Sequence, residues 1–286
     1  MTAQVELDHY DDEYADIAFE DPADPVALGS LWTENPWAPF NRDLLRLLGD
    51  LRGKTVLLVG NGVGLKELHL LTREPARLIY SDLSPAAVDA VRRQTAALGA
   101  ANLELRPVDA LEMPFADGEI DVIYGYAFAH HLPDLPRFLQ EARRVLAPGG
   151  RAVFMDNAEV PLWQRLKTGL LRPLMRASRR VNPISDADVQ VSEAGWYSAE
   201  ELERAIREAG CLPFHERSGL LHYLAVRAMQ ILHRPQRSWA DGRPRFRHAR
   251  LLRTLDRVDR RLTRSRTLAA SQIRLVWGFD APVVRP

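Results

Sequence analysis

Apolar residues along this chain fall into two rhythms that alternate. Short unbroken runs at 56–59, 77–81, 103–108, 119–126 and 151–156 have the length and β-branched content of strands buried on both faces. Between them, apolar positions three and four apart predict helices over 41–48, 65–72, 84–98 and 133–146. Local punctuation agrees. Ser84 is placed to cap a helix with Pro85 at its first position, Gly99 to stop it, and Pro148-Gly149-Gly150 to end the helix before the fifth strand. Four β-α units in series predict a doubly wound, mainly parallel α/β sheet. Pro107 has no N–H to donate, so the third strand is expected at an edge.

After Asp156 the regularity gives out. A basic amphipathic helix is expected over 162–180, followed by a polar loop to Gly195. Ser198 with Glu201 three residues on forms a capping box for a helix ending at Gly210. A strand over 212–216, a long helical pattern over 220–266 and a last strand over 273–279 complete the chain. Helical insertions this long are read as substrate-facing. Residues 1–30 are expected to form short helical turns, and Trp32, Trp37 and Phe40 to seal the next helix onto the core or close over a ligand. The expected organisation is a lid segment over 1–40, a cofactor-binding core over 41–156, and the remaining strands with their insertions over 157–286.

Composition narrows the setting more than the fold. With 286 residues, 46% of them hydrophobic and 27% charged, the chain is an ordinary globular one. Its single cysteine, Cys211, has no internal partner, and a reducing, cytoplasmic location is expected. A formal net charge of zero conceals an acidic start, with no Lys or Arg before Arg42, and an arginine-rich stretch over 234–266. Those arginines alternate with leucines rather than aromatics, which speaks against nucleic acid. They suit an anionic or lipid-linked substrate, peripheral contact with a membrane surface, or the interface of a homodimer.

The chemistry concentrates at the ends of the strands. Glycines at 60, 62 and 64 follow the first run at once, and a helix opens after them. Backbone can approach a ligand closely there, and the helix N-terminus favours a polar or anionic group. The spacing is G-x-G-x-G, not the G-x-G-x-x-G of nicotinamide dinucleotide sites. Asp82 stands eighteen residues after Gly64, near the interval of about 20 at which such folds place an acid for a ribose diol. Asp109 and Ala110 end the third run, and Gly125 and Tyr126 the fourth.

These motifs, in this order, resemble the class I S-adenosylmethionine-dependent methyltransferases, in particular the small-molecule group similar to ubiquinone-biosynthesis enzymes. The resemblance covers residues 50–156. It rests on Gly60-Asn61-Gly62-Val63-Gly64, Tyr80-Ser81-Asp82-Leu83-Ser84, Val108-Asp109-Ala110, the run Met113-Pro114-Phe115-Ala116-Asp117-Gly118, the pair His130-His131, and the stretch 144–150. It implies a Rossmann-like seven-stranded sheet of order 3-2-1-4-5-7-6 with the seventh strand antiparallel. It also implies S-adenosyl-L-methionine as cofactor. Gly60, Asn61, Gly62 and Gly64 would meet its methionine part, Asp82 the ribose, Leu83, Asp109 and Ala110 the adenine, and Gly125 and Tyr126 the neighbourhood of the sulfonium.

Methyl transfer from a sulfonium is an in-line displacement that needs positioning, and a base only if the acceptor must lose a proton. His130 and His131 are the candidate bases; a histidine pair here is also common in the family whatever the substrate. Asp156, Glu159, Tyr197 and His222 are further candidates. No metal is expected. The chain departs from the family at Leu58, which stands where an acid usually helps hold the cofactor's amino-acid end. The alternative reading is therefore a catalytically silent member, a module that binds cofactor or assembles with a partner. The reading preferred is transfer of a methyl group to a small organic or lipid-like acceptor.

Overall fold

In the computed structural model the described residues are 24–33, 38–157, 197–218, 221, 225, 249–262 and 274–283. Their strands are β1 (Thr55–Val59), β2 (Arg77–Asp82), β3 (Leu103–Pro107), β4 (Ile120–Tyr126), β5 (Leu146–Asn157), β6 (Leu212–Ser218) and β7 (Arg274–Asp280). They form one sheet of order β3-β2-β1-β4-β5-β7-β6. The first five strands are parallel and β7 runs antiparallel to both its neighbours. β3 takes the edge, where Pro107 pairs in register with Asp82 as the sheet ends.

Successive residues of each central strand feed opposite layers. Leu57, Val59, Ile79 and Ile123 face a core closed by Phe138 and Leu139 of α4 (Leu135–Val145) and by Leu202 and Ile206 of α5 (Ala199–Glu208). Val56, Leu58, Tyr80 and Tyr124 face the other, closed by Leu44 and Leu48 of α2 (Ala38–Leu48) and Val91 of α3 (Pro85–Thr95). Both faces are covered, so the strands read as continuous apolar runs. The predicted caps are in place: the Ser84 hydroxyl accepts from Ala87 N–H, and Ser198 and Glu201 exchange both bonds of a capping box.

Three expectations are corrected. Residues 24–33 are more than loose turns: α1 (Pro25–Thr33) packs on the helix that follows the glycine loop, with Gly29 against the His69 ring. A Cβ at Gly29 would stand 2.7 Å from that ring, so any larger residue would have to push the ring aside. The helix after the loop is 3-10 from Leu65 to Arg73 rather than α, and Glu74 ends it in a left-handed conformation (φ 54°). Pro148-Gly149-Gly150 does not lie between helix and strand, because β5 already starts at Leu146. The ladder jumps from the Ile120–Leu146 pair to the Val122–Arg151 pair, so these residues form a bulge, with Gly149 at φ 74°. Proline lacks the ladder donor and glycine takes the left-handed φ, so a bulge is the form in which a strand tolerates both.

The helix predicted over 162–180, the first 23 residues and most of 220–248 lie outside the described residues. Of the arginine-rich region, α6 (Ala249–Leu262) is described. Arg260 turns inward and forks onto Asp43 at 3.1 and 2.8 Å, with Asp256 at 3.1 Å on Nε. Arg250, Arg253, Arg257 and Arg261 face outward with Leu251 and Val258. Among the described residues no helix is long and apolar enough to cross a membrane.

Arg144 ties the 113–118 run to α4. Its guanidinium donates to the carbonyls of Met113 and Phe115, both at 2.8 Å, and to the carboxylates of Asp117 and Glu141. The Arg144 side chain in turn holds the Glu141 carboxyl below the usual glutamate range. A carboxyl with a depressed folded pKa stabilises the fold above its unfolded pKa, and that stability is lost as pH falls through the folded value. Arg144→Met should cost about 1–3 kcal/mol in urea unfolding at neutral pH, since it strands two carbonyls. The same variant should flatten the loss of stability that the native chain shows as pH drops below about 4.5. An unchanged acid profile would count against this assignment.

Candidate active site

The carboxyl ends of β1, β2 and β4 meet at the glycine loop. Gly60 and Gly62 take φ values of 60° and 53°, open to glycine at little cost. Beneath the loop lies the hydroxyl of Tyr80, itself fully buried on β2. It stands 2.8 Å from the Gly64 carbonyl, 3.2 Å from that of Gly62 and 3.3 Å from that of Asn61. One proton serves three acceptors, and the shortest contact is at the loop's end. Asp82 holds the loop from the side: its Oδ2 accepts from Gly62 N–H at 2.7 Å and its Oδ1 from Ser84 N–H at 2.9 Å.

The loop is built for a polar ligand. Both Nδ2 and Oδ1 of Asn61 are buried, and neither has a hydrogen-bond partner among the described residues. Leaving such groups unmet costs about 1–3 kcal/mol each, which a ligand with matching donors and acceptors recovers. Leu83 is half-buried beside Asp82. Asp109 is exposed after β3, where its Oδ1 accepts from Leu111 N–H at 2.8 Å and shapes the turn, with Ala110 buried behind it. The structure thus brings Asn61, Gly62, Gly64, Asp82 and Leu83 to one sheet edge, with Asp109 on the loop beyond the edge strand.

Gly60 and Gly125 have a second tenant. Phe128 lies against both: a Cβ at Gly60 would stand 2.2 Å from its ring, and one at Gly125 3.3 Å. The ring arrives there because Ala127 takes a left-handed φ of 54°, an unusual conformation for a residue with a Cβ. That kink turns the chain off β4 into the short turn Ala129–His131. Tyr126, the last residue of β4, carries the Lys66 ammonium 3.2 Å above its ring centre.

The two histidines part company in role. Their rings are 4.1 Å apart, and His130 meets a carboxylate: its Nδ1 is 2.9 Å from Oδ1 of Asp156. Oδ2 of the same carboxylate accepts from Trp277 Nε1 at 2.9 Å. Asp156 is 6% exposed, on β5, and Trp277 sits on β7 stacked 4.5 Å from Phe154. A carboxylate only accepts, so this contact suits the tautomer with the proton on Nδ1, which leaves Nε2 as the acceptor nitrogen. Tyr197 closes the same narrow cleft with Leu202 and Leu275. Burial first, and then Asp156, push its phenol above the ordinary tyrosine value, so it is a donor rather than a base. Glu159 and His222 lie outside the described residues.

Sequence reading missed Tyr80, Phe128 and Trp277. Tyr80 left a faint signal, a polar-tipped aromatic at the end of an aliphatic strand. Trp277 left none, because its partner is 121 positions away.

With the site laid out, comparison with known proteins adds a family. Residues 57–154 match the family described as "Methyltransferase domain". Over 144 residues the chain is 30% identical to the chloroplastic tocopherol O-methyltransferase of Arabidopsis thaliana, covering 48% of this chain and 41% of that protein. Over 135 residues it is 33% identical to a fatty-acid O-methyltransferase of Mycolicibacterium smegmatis, covering 46% and 47%. The match thus spans less than half the length of these relatives. Among solved structures, geranyl diphosphate C-methyltransferase of Streptomyces coelicolor, in complex with Mg2+, geranyl diphosphate and S-adenosyl-L-homocysteine, superposes with a TM-score of 0.58. Identity is 17%, over 98% of this chain and 99% of that one, a likeness of fold.

Tyr80→Phe tests the anchoring of the loop. It should lower stability by about 1 kcal/mol in urea unfolding and speed amide exchange at Gly62 and Gly64. Unchanged exchange at these amides would show that the loop is held by other means.

Proposed function

We propose, from the premise that residues 57–154 belong to the methyltransferase domain family, that this chain is an S-adenosylmethionine-dependent methyltransferase acting on a hydroxyl of a small organic or lipid-like acceptor. Bound S-adenosyl-L-methionine supplies the electrophilic methyl group. The backbone of Gly60, Gly62 and Gly64 and the unmet Asn61 amide suit its methionine part, Asp82 its ribose, and Leu83, Asp109 and Ala110 its adenine. Gly125 and Tyr126 border the place of the sulfonium.

The observation that carries the choice of acceptor is the chain Trp277–Asp156–His130. A carboxylate acceptor is already deprotonated and needs no base, whereas a phenol or alcohol does. Trp277 orients Asp156, Asp156 fixes the proton on Nδ1, and Nε2 takes the acceptor's proton while the buried carboxylate stabilises the imidazolium. Tyr197, held protonated, can orient the acceptor oxygen by donating to it. The relatives named for tocopherol and fatty acids support an apolar body on that acceptor. The outward arginines of α6 beside Leu251 and Val258 support an anionic headgroup or membrane surface next to it.

Calorimetry with S-adenosylmethionine and S-adenosylhomocysteine is the first test; absence of binding by both would overturn this reading. On a hydroxyl acceptor found by screening, His130→Gln should lower kcat by about 10²–10⁴-fold with cofactor affinity little changed. Asp156→Asn should follow it with a smaller loss. An acceptor turned over equally well by His130→Gln would remove the base from the mechanism.

A further inference from the structure

The acid missing from β1 has a counterpart elsewhere. Leu58 stands two residues before Gly60 and is fully buried among Tyr80, Tyr124 and Leu68, so this place offers no charge. The next acid along the chain is Glu67, in the 3-10 helix, 2% exposed. Its side chain reaches back to the loop, with Oε2 3.3 Å from where a Cβ on Gly64 would stand. Oε1 accepts from the Tyr124 hydroxyl at 3.2 Å and pairs with Lys66 Nζ at 3.0 Å. The same ammonium lies 3.2 Å above the Tyr126 ring centre.

Adjacent residues of a helix do not normally face one another. Here Lys66 and Glu67 meet because both heads turn to the end of β4. A carboxylate and an aromatic face are the two groups that recognise an organic cation. In this chain they hold one of its own. A buried carboxylate is costly without a counter-ion, so whatever displaces Lys66 must bring a positive charge.

We propose that Glu67 and the Tyr126 ring form the subsite for the cofactor's α-ammonium group, in place of the acid absent at position 58. Lys66 fills that subsite in the ligand-free chain and leaves it on binding. Glu67 is then paired in both states, and cofactor binding exchanges one ammonium for another. The inference rests on the cofactor reading given above.

Three probes separate the possibilities by calorimetry on the full chain. S-adenosylmethionine carries ammonium and sulfonium, S-adenosylhomocysteine the ammonium alone, and 5′-methylthioadenosine neither. Glu67→Gln should weaken the first two by about tenfold or more and leave the third nearly unchanged. Lys66→Met, which keeps length and removes the competing charge, should tighten the first two severalfold without affecting the third. Equal weakening of all three by Glu67→Gln would show that Glu67 acts only on the loop and would overturn the proposal. So would Lys66→Met that leaves S-adenosylhomocysteine binding unchanged or weaker, and this second variant decides the matter if Glu67→Gln fails to fold. A native chain that binds none of the probes overturns the cofactor reading itself, and this proposal with it.

Discussion

One phenolic oxygen under three carbonyls holds the part of the molecule that everything else addresses. Tyr80 is paired in register with Leu58, and Leu58 with Tyr124, so tyrosine, leucine and tyrosine stand in a row across β2, β1 and β4 on one face of the sheet. The two hydroxyls reach up at either side of the leucine. One meets the glycine loop and the other meets Glu67. The loop's glycines make the left-handed turns possible, but such freedom costs order, and a fixed donor beneath the carbonyls restores it. Asp82, Asn61 and the 3-10 helix take their positions from that fixed loop.

The same row changes the meaning of Leu58. Taken alone, an apolar residue where the family resemblance implies an acid suggests a weakened ligand site. In the fold, Leu58 is a core residue flanked by polar-tipped neighbours, and a buried carboxylate stands close to the loop on the next element. A carboxylate is therefore present beside the loop, on the following helix instead of on β1. A comparison made position by position along the chain does not see this, since it tracks sequence positions and not the space they converge on.

A second centre forms where β4, β5 and β7 meet. Ala127 turns left-handed, Phe128 packs against Gly60 and Gly125 on the side where a Cβ would stand, and His130 is delivered to Asp156. The histidine pair is visible as candidate bases, with Asp156 and Tyr197 as further candidates, but nothing along the chain separates the two histidines or gives the other two their parts. The assignment comes from contacts between residues 26 and 121 positions apart. They make His130 the oriented ring and Tyr197 a protonated donor.

The full sheet order came from the family resemblance; the alternation of strands and helices, the edge position of Pro107, the caps at Ser84 and Ser198 and the glycine loop with Asp82 were determined by sequence alone. Their causes are local: side-chain periodicity, a missing N–H, a hydroxyl within reach of the next turn, and a fixed interval between strand ends. The 3-10 form of the helix after the loop, the bulge at Pro148–Gly150 and the helix at Pro25–Thr33 were decided by packing on neighbours that local propensity does not register. Tertiary structure alone decided which hydroxyl clamps the loop, which histidine faces a carboxylate and which acid stands beside the glycine loop. Each depends on strands adjacent in the sheet but distant in the chain, and the distances that set hydrogen bonds and ion pairs exist only after the chain has folded.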